Sequence, residues 1–248
     1  MNTNTKKTVI VTGASSGIGF AIAKAYLDRG YNVVGNARTM DRLTEAAAQL
    51  GNPANFLPVA GDISKAATAK ELFEKAIAAF GKVDILINNA GIFIAKPTAD
   101  YTEEELDTIV NTNLKGFFYP SQQAAVHMAK NGQGHIVTIS ASIAMQPNVK
   151  VPALLPVLIK GGLNSATRGL AIELAKSGVK VNAVAPGIIM TPMHPTDKET
   201  MDFLSQLAPN GAVGNTDDVV NAIMYLTDSS FTSGTVLPVD GGGSAGTW

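Results

Sequence analysis

The sequence predicts an α/β fold: one doubly wound domain whose mostly parallel sheet of about seven strands carries helices on both faces. Two observations predict it. Short β-branched and apolar segments alternate with longer segments of helical periodicity along the 248 residues. The short segments are also uniformly apolar, which is typical of strands buried on both faces of a parallel sheet.

The first half of the chain contains repeated strand–helix units. The predicted strands there are 8–13 (TVIVTG), 31–37, 54–62 and 83–91, and the predicted helices are 18–30, about 41–50 and 66–81. The order β, α, β, α predicts parallel neighbours.

The second half continues the alternation. Helical periodicity covers 103–130 and 161–178, and strands are predicted at 134–140, 179–187 and 235–242. The stretch 186–215 is irregular and rich in Pro, Met and small polar residues, which predicts a loop with a short helix over the carboxyl edge of the sheet. Since no linker is found, residues 1–248 are interpreted as a single dinucleotide-binding and catalytic domain with a substrate loop at about 188–215.

Composition narrows the class of protein. Apolar residues make up 46% of the chain and charged residues 16%, so part of the surface is expected to be covered by another subunit. A homo-oligomer, dimer or tetramer, is the prediction, and a monomer with an ordinary neutral surface is the alternative.

Charge and cysteine content exclude several partners. Nineteen basic against 20 acidic residues provide no field for a phosphate backbone, so nucleic acid is not expected. No cysteine is present, which excludes disulfides and thiolate metal sites, and no metal is expected. No apolar run approaches membrane-span length, and the polar opening MNTNTKK lacks the apolar core of a signal peptide, so the expected location is cytoplasmic.

The stretch TGASSGIG, residues 12–19, lies between the first strand and the first helix. Gly13 permits a tight turn, Gly17 lets the backbone approach a pyrophosphate, and Gly19 allows close helix packing, while the helix N-terminus faces the anion. The predicted cofactor-binding turn comprises Gly13, Ser15, Ser16, Gly17, Ile18 and Gly19.

The G-x-x-x-G-x-G spacing resembles the short-chain dehydrogenase/reductase family. The resemblance extends over nearly the whole chain through GDI (61–63), NNAG (88–91), NTNLKGFF (111–118), APGIIMTPM (185–193) and VDGG (239–242), in family order. It implies a Rossmann-type fold and oxidoreductase activity with a nicotinamide cofactor. By analogy, Asp62 and Ile63 contact adenine, Asn89, Ala90 and Gly91 line the ribose, and Pro186, Gly187, Ile189 and Thr191 hold the nicotinamide amide.

The end of the second strand indicates which cofactor is preferred. A carboxylate there accepts hydrogen bonds from the ribose hydroxyls of NAD and repels the 2′-phosphate of NADP. This chain has Ala37 where NAD-specific members of the family tend to place Asp, and Arg38 follows. NADP(H) is therefore the predicted cofactor, with NAD(H) as the alternative; a solvated surface charge is the other interpretation of Arg38.

The resemblance also implies four catalytic positions. In the family a tyrosine handles the proton at the carbonyl oxygen, a lysine four residues later lowers its pKa, a serine steadies the carbonyl and an asparagine supports a water relay. Asn113 fits the asparagine position well, and Lys160 fits the lysine position well. Register from Asn113 places Ala141 in the serine slot; Ser142 fills it with one inserted residue, and Ser140 is either the alternative or a satisfied strand-end hydroxyl.

The tyrosine position holds Pro156. The five tyrosines lie at 26, 31, 101, 119 and 225, too far along the chain for realignment. Three replacements remain open: Lys160 delivers the proton directly or through water, His194 does so near neutral pH, or the substrate is an iminium or activated alkene that takes its proton from solvent. An exposed loop residue is the other interpretation of His194, and ribose binding alone is that of Lys160.

The sequence thus favours an NADP(H)-dependent oxidoreductase that reduces a small apolar carbonyl, imine or activated alkene through an altered proton-delivery route. The predicted substrate contacts are Pro156, Met190, Met193 and His194, with Phe203 and Leu204 over the pocket. The alternative is a nucleotide-binding protein with little or no redox activity, either a sensor, a scaffold or an engineered variant.

Overall fold

A single parallel sheet of seven strands forms the centre of the molecule. The computed structural model describes residues 6–192 and 197–246. The strand order is β3-β2-β1-β4-β5-β6-β7, and every neighbouring pair is parallel. The strands are β1 Thr8–Thr12, β2 Asn32–Ala37, β3 Phe56–Ala60, β4 Ile85–Asn88, β5 Gly134–Ile139, β6 Val179–Pro186 and β7 Val236–Val239. The predicted fold class is confirmed.

Helices cover both faces of the sheet. They are α1 Gly17–Asp28, α2 Met40–Gln49, α3 Ala66–Phe80, α4 Glu103–Ile109, α5 Gly116–Asn131, α6 Leu154–Leu174, α7 Lys198–Ser205 and α8 Thr216–Asp228. One apolar core joins the sheet to α1, α2 and α8, and a second joins it to α3, α5 and α6. Because the strand order reverses between β1 and β4, a crevice opens at their carboxyl ends.

Two helices differ from the sequence prediction. Helix α6 begins at Leu154, seven residues before the predicted start at 161, so Lys160 lies within the helix. Helix α8 was not predicted, although Asn215 and Asp218 form a reciprocal capping box at its start. The start of α6 was predicted too late because three prolines precede Lys160, and proline argues against a helix interior. Proline is nevertheless tolerated in a first helical turn.

The predicted strand 83–91 is also shorter than expected. The strand β4 ends at Asn88, and the side chain of Asn89 donates to the Thr12 carbonyl. Across residues 6–192 and 197–246, no helix is both long enough and apolar enough to cross a membrane. Over the same residues, no group of His, Asp and Glu side chains is arranged to hold a metal ion.

Candidate functional site

The glycine turn joins β1 to α1 at the carboxyl edge of the sheet. Gly13 has φ +68° and Gly17 has φ +55°, a region that residues with a side chain rarely adopt. A Cβ at Gly19 would collide with the carbonyl oxygen of Gly13 and the amide of Asn89. The turn is therefore closed to larger residues at all three glycines.

The N-terminus of α1, at Gly17, lies beside this turn. Ser16 is the N-cap residue and is exposed, yet its side chain makes no capping hydrogen bond. The first N–H groups of a helix have no intrahelical partner and carry a partial positive charge. With Ser15 and Ile18 half-buried on either side, the turn suits the pyrophosphate of a dinucleotide.

Thr12 ties the turn to the end of β4. Its hydroxyl accepts hydrogen bonds from the backbone N–H groups of Asn89 and Ala90, each at 3.0 Å. The Asn89 side chain donates in return to the carbonyl oxygens of Thr12 and Gly13, at 2.9 and 3.2 Å. These bonds bring the NNAG segment against the glycine turn. Sequence reasoning did not single out Thr12, although a threonine directly before the glycines was a usable signal.

The ends of β2 and β3 form the opposite wall. Arg38 is exposed directly after β2. Burial raises the pKa of Asp62, but hydrogen bonds from Ser64 and the charges of Lys65 and Arg38 outweigh it and lower that pKa. The Arg38 charge is thus close enough to act on Asp62. Ile63 is 5% exposed and packs into the core on the α5 side, so its side chain faces inward.

The segment after β6 returns to the glycine turn. Pro186 ends the strand, and the Gly187 N–H donates to the carbonyl of Val239. Ile189 is buried and pairs with Gly214. A Cβ at Gly17 would lie 3.4 Å from the side chain of Thr191. The structure therefore brings Thr191, one of the predicted nicotinamide-side residues, against the glycine turn.

Asn113 lies in a π-helical turn, Val110–Lys115, that connects α4 to α5. Its side chain is buried, and its carbonyl oxygen accepts the Ile92 N–H at 2.8 Å while its amide donates to the Ile92 carbonyl at 2.9 Å. Single π-turns frequently occur at functional sites. Here the Asn113 side chain fixes the chain that follows the NNAG segment.

Lys160 reaches the same edge from α6. Its ammonium donates to the carbonyl oxygen of Ile139, the last residue of β5, at 2.7 Å. A Cβ at Gly91 would lie 3.5 Å from Nζ and 3.3 Å from Oδ1 of Asn113. Burial lowers the pKa of Lys160 to about 8, because the charged form loses its hydration.

The two candidate serines have different surroundings. Ser140 is 4% exposed, and its hydroxyl donates to Oδ1 of Asn164 at 2.5 Å. Ser142 is half-buried and begins a short 3₁₀ turn, Ser142–Ala144. Within the described part of the chain its hydroxyl has no hydrogen-bond partner. Of the two, only Ser142 has a hydroxyl available to a substrate.

Pro156 is the third residue of α6 and lies one helical turn before Lys160. It is buried. The first intrahelical hydrogen bond runs from the Val157 N–H to the Ala153 carbonyl. Proline at this position therefore sacrifices no helical bond, and it supplies no proton to its surroundings.

The residues over the edge are only partly described. Met190 is half-buried and its N–H donates to Gly214, while Phe203 is 47% exposed on α7 and Leu204 is half-buried beside it. Met193 and His194 lie outside the described residues. The prediction that His194 donates the proton therefore stays a prediction.

The assembled edge fits a nicotinamide dinucleotide. Positive-φ glycines and an uncapped helix N-terminus lie at the β1/β4 crevice, a cation lies after β2, and a buried ammonium lies beside Gly91. The donors match a pyrophosphate and ribose hydroxyls.

Comparison with known proteins agrees with this site. Residues 13–244 match a family described as enoyl-(acyl carrier protein) reductase. The chain is 34% identical to a (2S)-[(R)-hydroxy(phenyl)methyl]succinyl-CoA dehydrogenase subunit of Thauera aromatica over 96% of each chain. It is 35% identical to a 2-dehydro-3-deoxy-D-gluconate 5-dehydrogenase of Bacillus subtilis, covering 95% of this chain and 94% of that protein.

Solved structures with the same fold include cofactor complexes. ElxO with NADP bound superposes with a TM-score of 0.91 at 30% identity, over 97% of this chain and 100% of that one. A 3-ketoacyl-(acyl-carrier-protein) reductase from Brucella melitensis in complex with NADH gives 0.88 at 33% identity, over 96% and 98%. A short-chain type dehydrogenase/reductase from Mycobacterium marinum gives 0.90 at 28% identity, over 97% and 96%.

Proposed function

Because the chain belongs to the short-chain dehydrogenase/reductase family of oxidoreductases, we propose that it is an NADP(H)-dependent reductase whose proton route uses no phenol. Its substrate is a small apolar carbonyl, imine or activated alkene. One observation carries the proposal: Lys160 and Asn113 meet at the cofactor edge, while a buried proline occupies the position one turn before the lysine.

Binding of the cofactor falls to residues at the β1/β4 crevice. The glycine turn and the N-terminus of α1 hold the pyrophosphate, and Gly91 leaves room for the ribose beside Lys160. When bound, the nicotinamide supplies or accepts a hydride. Asn113 keeps the Ile92 backbone in place, so the floor beneath the ribose is rigid.

The preference for NADP(H) rests on the end of β2. Ala37 places no carboxylate where one would repel a 2′-phosphate, and the exposed Arg38 follows at once. Thr39, the N-cap of α2, makes no side-chain capping bond. A guanidinium, a hydroxyl and an uncapped helix N-terminus together suit a phosphate dianion.

Proton delivery is assigned to Lys160 in this proposal. The ammonium is protonated below pH about 8 and lies at the site edge, whereas Pro156 has no proton to give. Ser142, whose hydroxyl has no partner within the described residues, binds the substrate oxygen. The lysine then acts directly or through one water, as general acids in such sites do.

The substrate loop is proposed to lie between Pro186 and Gly214, where β6 ends and where Gly214 pairs with Ile189. Met190, Phe203 and Leu204 are apolar residues of this loop, and we propose that they cover the substrate. An apolar cover favours a small, weakly polar substrate. The relatives' names describe oxidation of alcohols on unrelated carbon skeletons, so no single substrate is proposed.

A second candidate is a nucleotide-binding protein with little redox activity. Three polar groups at the reacting end are already occupied: Asn113 by the Ile92 backbone, Ser140 by Asn164 and Lys160 by Ile139. A site whose donors are engaged with the protein itself can bind a nucleotide without turning it over.

Titration with NADPH and NADH, followed by a panel of ketones, imines and activated alkenes, separates the two candidates. The proposal expects tighter binding of NADPH and loss of nicotinamide absorbance at 340 nm with at least one substrate class. Tight NADPH binding with no turnover across the panel establishes the second candidate. Failure to bind either nucleotide excludes both.

We also propose that the protein is a homo-oligomer. The outer faces of α5 and α6 expose large apolar side chains: Phe118 at 52%, Val126 at 72%, Leu158 at 60% and Ile172 at 80%. Exposed apolar patches on a protein surface often mark protein–protein contacts. Light scattering is expected to give a dimer or tetramer mass, and a mass of 25.7 kDa would remove the proposal.

A further inference from the structure

Two hydrogen bonds join the carboxyl end of β5 to one face of α6. The first runs from Nζ of Lys160 to the Ile139 carbonyl at 2.7 Å. The second runs from the Ser140 hydroxyl to Oδ1 of Asn164 at 2.5 Å, and the same hydroxyl lies 3.4 Å from the carbonyl oxygen of Lys160. Adjacent strand residues therefore bind helix residues that lie one turn apart.

The strand side of this junction is rigid. The Ser140 N–H donates to the Val184 carbonyl on β6 at 2.7 Å. In an extended strand the carbonyl and N–H of one peptide unit point in opposite directions. The Ile139 carbonyl thus points away from β6, toward β4, and beyond the end of β4 at Asn88 it meets the lysine ammonium instead of a strand N–H.

The helix side is held at this end by apolar packing, because Leu155 and Ile159 form a buried cluster with Ile109. Polar restraints there are few: the N-cap Ala153 makes no side-chain capping bond, and Pro156 removes one N–H from the first turn. The side-chain bonds to β5 therefore add directional restraint to the position of Lys160 along and around the helix axis. Ser140, Asn164 and Lys160 are 4%, 6% and 8% exposed, so water does not compete for these bonds.

We propose that Ser140 and Asn164 form a positioning pair that fixes the Lys160 ammonium at the cofactor edge. Neither residue touches substrate in this proposal, because the Ser140 hydroxyl is committed to α6. The inference rests on the proposed function, because the pair positions Lys160 for the proton transfer proposed above. It also assigns the substrate-facing serine role to Ser142 alone.

A purely structural hydrogen bond and a positioning bond have different consequences. Loss of the former lowers stability and leaves the surroundings of Lys160 unchanged. Loss of the latter lets α6 shift relative to β5 at this end, which hydrates Nζ. Burial lowers the pKa of Lys160, so hydration of Nζ is expected to raise it.

The variants are Ser140→Ala and Asn164→Leu, which each remove one side of the bond. Thr167→Val is the matched control, because Thr167 is fully buried one turn further along α6. Among the described residues, its hydroxyl bonds only to the Leu163 carbonyl of the same helix. Asn164→Ala replaces Asn164→Leu if the larger residue prevents folding.

The measurement is the pKa of Lys160 in the cofactor-free protein, from an NMR titration of side-chain nitrogen signals assigned with Lys160→Met. In both single variants the pKa is expected to rise from about 8 toward 10.5, by roughly one unit or more. The double variant should rise no further than either single one, since one bond is removed in all three. The Thr167→Val control should stay at the wild-type value.

NADPH affinity is measured on the same proteins. It is expected to fall in Ser140→Ala and Asn164→Leu and to remain unchanged in Thr167→Val. An unaltered Lys160 pKa in both folded single variants overturns the positioning role. If wild-type protein binds no NADPH but the pKa still rises, the positioning pair stands and the proposed function fails.

Discussion

The glycine turn and the reacting end of α6 lie at the same edge of the sheet but are held in different ways. The turn is fixed by backbone: Gly13 and Gly17 need positive φ, and Gly19 has no room for a Cβ. The reacting end is fixed by side-chain hydrogen bonds that Lys160 donates to β5 and that Ser140 donates to Asn164. Only glycine meets the steric limits of the turn, whereas several side chains can form a hydrogen bond of the kind found at the reacting end. We therefore expect the reacting end to tolerate substitutions that the turn does not.

The largest effect on NADPH affinity is expected where the backbone has no freedom. Gly19→Ala places a methyl group against the Gly13 carbonyl and Asn89. Overpacking of this kind costs on the order of 1–3 kcal/mol, and NADPH affinity should fall by about 10²-fold if the strain is relieved by opening the turn. Fluorescence titration of NADPH measures it.

Gly169→Ala is the control for that variant. A Cβ at this exposed position in α6 meets no atom within 4 Å, so alanine should leave NADPH affinity unchanged and raise helix stability by about 0.5–1 kcal/mol. Equal losses in the two variants would show that the glycine turn is not special.

The next effect concerns turnover. Lys160→Met removes the proposed acid, and the chemical step should slow by ~10²–10⁴-fold with a smaller loss of NADPH affinity. In the wild type, reduction should fade as pH rises through about 8, because the ammonium loses its proton there. Single-turnover rates measured from about pH 6 to about pH 10, on both sides of that pKa, test the slower chemical step and its pH dependence. A Lys160→Met enzyme with a wild-type rate contradicts the proton route.

The same variant should be more stable than the wild type. The folded protein lowers the pKa of Lys160 from 10.5 to about 8, so below pH 8 the buried charge opposes folding. Stability then rises as pH increases from about 8 to 10.5, where the unfolded chain keeps the proton that the folded one releases. Methionine removes this penalty, whose upper limit is about 3 kcal/mol.

Urea unfolding at two pH values measures the stability difference. At neutral pH Lys160→Met should unfold at higher urea than wild type, and the difference should shrink toward pH 10.5, the ordinary pKa of lysine. A less stable Lys160→Met protein at neutral pH would mean that the bond to Ile139 outweighs the loss of hydration.

Cofactor selectivity should change by a smaller factor. Arg38→Ala removes one charge-assisted contact, so NADPH affinity should fall about 10- to 100-fold, equivalent to ~1.5–3 kcal/mol, with NADH unchanged. Arg168→Ala, an exposed arginine on α6, is the control. Equal weakening of both cofactors in Arg38→Ala would show that the guanidinium does not meet the 2′-phosphate.

The smallest effect is expected from Pro156→Tyr. It returns a phenol to the position one turn before Lys160, and ordinary ketone reduction should rise only modestly. The buried site was packed around a proline, and the Ser140 hydroxyl is engaged with Asn164. A large gain in ketone turnover would show that the reacting end differs from the family by one residue alone.

Much of the fold could be predicted because its signals are local. Apolar β-branched runs gave all seven strands, and the stretch 12–19 placed the turn. The predicted start of α6 was seven residues too late. Pro156 argues against a helix interior, but it lies in the first turn, where its missing N–H costs no helical bond. Helix α8 was overlooked although its capping box was visible in Asn215 and Asp218.

The reacting end resisted prediction for a different reason. The sequence left Ser142 as the serine that one inserted residue restores, and Ser140 as the alternative or as a satisfied strand-end hydroxyl. The hydroxyl of Ser140 is bonded to Asn164, 24 residues away, and nothing in the local sequence of either residue indicates that contact. Within the described residues the Ser142 hydroxyl has no such partner.

The most direct test of the account is transfer of deuterium from NADPH labelled at C4 of the nicotinamide to a panel of ketones, imines and activated alkenes, followed by mass spectrometry of the products. The account predicts a deuterated product from at least one substrate class, with less label incorporated at pH values above the Lys160 pKa of about 8. Saturating NADPH binding with no label in any product would contradict it.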